Sequence, residues 1–130
     1  MKLAMWVLML VFNLIVPVVM ILLGRLFETN PPHEINATFG YRTSRSMKSQ
    51  DAWDFAQRYT GELWQRAGWV MLPLAALAQA LTLLCPAMDA MCLWSMVPTG
   101  LEVVALVATI FPVERALKKH FDENGVRRQY

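Results

Sequence analysis

The sequence predicts an all-α membrane protein, with three transmembrane helices and a cytoplasmic loop that carries an amphipathic helix. Three observations predict it. Of the 130 residues, 56% are hydrophobic and the mean hydropathy is +0.36, both high for a soluble domain. Charge is segregated: residues 3–24 hold no charged side chain, and residues 67–113 hold only Asp89 and Glu102. The polar residues gather instead at 25–66 and 114–130, as expected of a chain that must cross hydrocarbon. The length suits a single domain. A net charge of only +2 gives no case for a nucleic-acid partner.

The first span is read over residues 3–24. At about 1.5 Å per residue it crosses the roughly 30 Å hydrocarbon core. It exceeds the roughly 7–15-residue core of a signal peptide, and Gly24-Arg25-Leu26-Phe27 is a poor cleavage site, so the helix is expected to be retained. Asn13 and Pro17 interrupt it, and Pro17 predicts a kink.

Residues 25–66 form the polar segment. Asn30-Pro31-Pro32 stops a helix, because proline disfavours α geometry in the residue before it. Ser49 reads as an N-cap, with Asp51 favouring the helix dipole in the first turn. From Gln50, Ala52, Phe55, Ala56, Tyr59, Leu63 and Arg66 recur at helical spacing, flanked by Trp53 and Trp64. This amphipathic helix either lies at the membrane surface, with its aromatic residues at headgroup level, or runs straight on into the next span.

The second span is read over 67–85, with Pro73 as a kink and Gln79 as its one strongly polar side chain. Residues 85–90 read as a tight turn, and the third span as 91–113, with Pro98, Gly100 and Glu102 near its middle. The tail, 114–130, is expected to continue that helix and end near Asn124-Gly125. With three spans, the 25–66 loop and the tail share one side. The loop holds Arg25, Arg42, Arg45, Lys48, Arg58 and Arg66, and the tail five more cations, against Lys2 and the terminal amine on the other side. The positive-inside rule therefore places loop and tail in the cytoplasm and the N-terminus outside.

Chemistry concentrates at two places. Gly40, Tyr41, Arg42, Thr43, Arg45, Ser46, Lys48 and Ser49 form a dense donor set, bracketed by Asn36 and Trp53. Guanidinium groups hold phosphate or carboxylate bidentately, and the helix start at Ser49 adds free N–H groups. One reading is an anion site for a lipid headgroup, an acidic peptide or a partner's carboxylates. The other is a basic juxtamembrane loop that only touches anionic phospholipid. The spacing is not that of a Walker loop. The second place is Glu102, about eleven residues into its span, where a carboxylate is costly and faces the bundle interior. Asn13 and Gln79 are its expected partners across helices. Function and structural glue both remain open for it.

Cys85 and Cys92 flank the outer turn, either as a disulfide clamp or as free packed thiols. His33 and His120 stand alone, and no metal or cofactor is expected. Asn36-Ala37-Thr38 is a glycosylation sequon, without meaning on a cytoplasmic loop. Asp51 and Asp54 cap and solvate the helix more simply than they serve as a general base, so no enzyme is expected.

Pro31-Pro32, Ile35-Asn36 and the run Gly40-Tyr41-Arg42-Thr43-Ser44-Arg45-Ser46-Met47-Lys48-Ser49-Gln50-Asp51-Ala52-Trp53 resemble the signature loop of the SdpI family of bacterial membrane proteins. Gly61-x-x-Trp64 and the tail from Glu114 to Gly125 also fit that pattern. The resemblance implies a small helical bundle in the bacterial inner membrane. The founding type is longer, with further spans ahead of this unit, so the chain reads as a short three-span version. That founding member is an immunity protein that protects its cell from a secreted killing peptide and signals by holding a repressor at the membrane. The resemblance thus implies a toxin peptide and a cytoplasmic regulator as partners. It carries over Asn36, Gly40, Tyr41, Arg42, Thr43, Ser46 and Trp53 as site residues. The rival expectation is a small ion-coupled transporter that uses Glu102 and, having too few spans for a path, works as a homo-oligomer.

Overall fold

A computed structural model describes residues 2–36 and 40–128. Its helices are α1 (Lys2–Thr29), α2 (Gln50–Leu81), α3 (Met88–Ala108) and α4 (Ile110–His120), with a short 3-10 turn, Thr82–Leu84, after α2. Three helical stretches are long and apolar enough to cross a membrane, beginning at Lys2, Gln50 and Met88. The protein is an all-α, multi-pass membrane protein.

The inward residues of α1 are Asn13, Pro17, Met20, Gly24 and Phe27, spaced alternately by four and three. That is a seam of period 3.5, the pattern that keeps one stripe against a neighbouring helix. On α2 the facing positions Gly61, Gly68 and Ala75 recur every seven residues. The two helices run antiparallel and approach closely where both lack side chains. A Cβ on Gly61 would lie 2.5 Å from the Gly24 carbonyl oxygen, and one on Gly68 2.8 Å from that of Pro17. Within a bilayer, where apolar burial drives nothing, such backbone approach supplies the packing. Large apolar side chains such as Phe12, Leu22, Leu77, Val104 and Phe111 point outward, as a lipid-facing belt requires.

Several boundaries differ from those read in the sequence. The first helix continues past residue 24 to Thr29, since nothing opposes it before the double proline. The amphipathic stretch is the first half of α2 and runs straight on into the span, unbroken at Pro73. At about 1.5 Å per residue α2 is about 48 Å long, well beyond the hydrocarbon thickness, so its first turns stand clear of the membrane. The third span starts at Met88 rather than 91, after extended Ala87. Pro112 has no N–H to offer the Ala108 carbonyl, but Thr109 keeps helical angles (φ −64°, ψ −19°) and α3 runs on into α4 as expected. The tail helix ends at His120, not near Gly125, because Phe121 turns extended and bridges to Arg127.

Candidate functional site

The loop-side ends of the helices form a folded cap. Ala52 and Ala56 of α2 are buried against Val113 and Leu117 of α4 and against Phe121, with Tyr41, Phe55, Tyr59 and Leu63 packed around them. The apolar face of the amphipathic stretch therefore meets α4 and the tail. Ser49 caps α2 by accepting from the Ala52 N–H at 3.0 Å, and its hydroxyl donates to the Gly125 carbonyl at 2.6 Å. Gly125 sits at φ +78°, a left-handed geometry that glycine adopts freely. Asp51 and Arg127 form a two-bonded ion pair at 2.9 and 3.0 Å, and the Arg127 guanidinium lies 4.9 Å over the Phe121 ring.

The loop is wired to this cap through its backbone. Fully buried Gln57 accepts from the Tyr41 N–H at 2.7 Å and donates to the Tyr41 carbonyl at 2.9 Å. The Tyr41 hydroxyl donates to Glu114 of α4 at 2.7 Å, and Arg45 lies 3.7 Å from the other Glu114 oxygen. Burial, then the hydrogen bond to Glu114 and its charge, push the Tyr41 hydroxyl above the ordinary tyrosine pKa. Ser46 is buried, accepts from the Thr43 N–H at 2.8 Å and donates to the Tyr41 carbonyl at 3.1 Å. The Thr43 hydroxyl accepts from the Ser46 N–H in return. Trp53 is fully buried and donates its indole N–H to the Pro32 carbonyl at 2.7 Å. Gly40, at φ +108°, fits between Gln57, Pro32 and Trp53, where a Cβ would find 2.9–3.2 Å.

The predicted loop residues thus divide into two sets. Gly40, Tyr41, Thr43, Ser46 and Trp53 hold the loop in one shape, Arg45 braces Glu114, and Asn36 bonds the Glu34 carbonyl. Arg42 and Lys48 are exposed on its outer side. Arg58 is exposed nearby on α2. Chemically the outer set can pair with anions. The sequon positions Ala37 and Thr38 lie outside the described residues.

Inside the bundle the expected wiring is corrected. Asn13 and Gln79 do not reach Glu102; Asn13 donates to Gln79 at 2.7 Å, and the Thr99 hydroxyl donates to Asn13. Trp6 of α1 donates to the Gln79 carbonyl at 3.0 Å, and Lys2 to the Cys85 carbonyl at 2.8 Å. A polar ladder therefore links α1, α2 and α3 in the halves remote from the loop-side cap. Glu102 is only 5% exposed, and neither carboxylate oxygen has a hydrogen-bond partner among the described residues. Cys85 and Cys92 are free thiols. Gln57, Thr99 and Glu114 were not singled out by sequence reasoning. A buried amide or carboxylate on an otherwise amphipathic helix looks like solvated surface until its partner across the fold is known.

The profile of the SdpI/YfhL protein family matches residues 33–113, from the loop through the third span. Over 58 residues the chain is 41% identical to YfhL of Bacillus subtilis (strain 168), which is described as an uncharacterized protein. That stretch covers 45% of this chain and 53% of YfhL, so the chain spans about half the length of the curated relative it matches. No solved structure matches it significantly. The profile covers well over half of the sequence, including the whole of the Gln57-bound loop, and the chain belongs to the SdpI/YfhL protein family.

Proposed function

We propose that the protein is a non-enzymatic immunity or sensing component of the bacterial cytoplasmic membrane, with the loop-side cap as its docking face. In this reading the N-terminus is outside and the loop and tail are cytoplasmic. The bundle meets a membrane-active peptide, and the cap answers to a cytoplasmic regulator or an anionic lipid. One observation carries it. Buried Ser46, Gln57 and Trp53 fix the loop, and the cations Arg42 and Lys48 stay on its exposed side. A loop that served only to balance charge across the membrane would not need so many buried hydrogen bonds. Family membership supports the immunity type of role. Replacing Arg42 with Ala is expected to abolish protection of cells challenged with a membrane-active peptide while the protein stays at wild-type level in the membrane. Full protection by that variant removes the loop from the site.

A second reading, an oligomeric ion-coupled transporter, draws on the unpartnered carboxylate of Glu102. It requires substrate-driven proton flux in proteoliposomes that is lost in Glu102→Gln.

A further inference from the structure

The flank of the bundle between α2 and α3 is open. α3 packs more extensively on α1 than on α2, which leaves a cavity of about 610 Å³ between α2 and α3. Met71, Leu74, Trp94, Val97 and Leu101 wall it, and small Ala78 keeps it clear. Leu74, Trp94, Val97 and Leu101 also belong to the exposed apolar belt, so the groove opens toward lipid. Glu102 contributes its one carboxylate, nearly buried and with both oxygens unpartnered.

We propose that this groove is an intramembrane binding site for a small lipophilic cation, an amphiphile with an apolar body and one protonated amine that pairs with Glu102. The argument is by complementarity. A buried carboxylate without a partner is costly, so the site favours a ligand that supplies a donor and opposite charge. The chain does not supply one there. Among the described residues, no Lys, Arg or His lines the groove. Thr82, a polar residue of the lining, is committed elsewhere, its hydroxyl donating to the Gln79 carbonyl at 2.6 Å. The walls dictate an apolar body. The volume lies within the roughly 300–1,000 Å³ of small-molecule pockets. A groove of this size holds a small amphiphile whole. This inference does not depend on the loop-side reading, since the residues that line the groove are not those of the cap.

The test uses the full chain in dodecyl maltoside, a detergent without charge, and equilibrium dialysis of radiolabelled dodecylamine against dodecanol of the same length. Wild type is expected to bind one amine per chain about tenfold or more tightly than the alcohol. Glu102→Gln is expected to erase that preference, with helicity by circular dichroism unchanged. Ala78→Trp, which fills the groove and keeps the carboxylate, is expected to lose both ligands; it keeps the question decidable if Glu102→Gln does not fold. Equal binding of amine and alcohol by wild type overturns the proposal, as does an amine preference that survives Glu102→Gln. A dimer on native mass spectrometry that Glu102→Gln dissociates also overturns it, because the groove is then covered by a second copy.

Discussion

Gln57 takes both the N–H and the C=O of Tyr41, so one side chain does for the loop what a neighbouring strand would do. Gln57→Leu keeps the volume, leaves the Tyr41 N–H unsatisfied and leaves the Tyr41 carbonyl with the Ser46 hydroxyl as its donor. It is expected to cost about 1–3 kcal/mol, read as a lowered midpoint of thermal unfolding in detergent. Tyr41 provides a second check. Its folded-state pKa is raised above the ordinary value of 10.0 by burial and by Glu114. The associated stability is therefore complete below about pH 10 and lost as pH rises through the folded value. In a spectrophotometric titration, Tyr41 should be the last tyrosine to ionise, and Tyr41→Phe should remove that late step. A late step that persists in the variant contradicts the assignment.

Helix against helix, the fold depends on glycine and on amides. Gly61→Val has no room, because its first carbon already meets the Gly24 carbonyl, and α1 must move away from α2. A loss of about 1–3 kcal/mol in unfolding experiments is expected. Asn13→Leu strands the Gln79 side-chain oxygen and removes the acceptor of the Thr99 hydroxyl, at about 1 kcal/mol, and adding Gln79→Leu should restore part of it, since removing both partners costs less than removing one. The spans were legible because hydrocarbon tolerates so few charges, and Ser49 was legible because capping is a local act. The run-on of α3 into α4 was legible because Pro112 sits inside an apolar run with no other sign of a turn, and it removes only one helical hydrogen bond. The pairing of Asn13 with Gln79 was missed. Three polar residues at compatible depth allow several pairings, and only the rotation of each helix decides between them.

Across the whole molecule, the polar ladder, the apolar belt and the cap divide the chain into a turn-side half, a lipid-facing middle and a loop-side face. Arg42 was legible as a candidate from its neighbours in sequence, but its separation from the buried scaffold residues of the same motif was not, because alternate burial along an irregular loop has no period. The orientation can be checked with single cysteines in a Cys85→Ser, Cys92→Ser background. A membrane-impermeant maleimide added to intact cells should label a cysteine at Pro86 and spare one at Ser44. The claim that the cap is a docking face is tested most directly by native mass spectrometry of the protein gently extracted with its lipids, wild type beside the Arg42→Ala, Lys48→Ala double variant. The account predicts an anionic phospholipid or acidic peptide retained by wild type and lost from the variant. The same adducts on both proteins would contradict it.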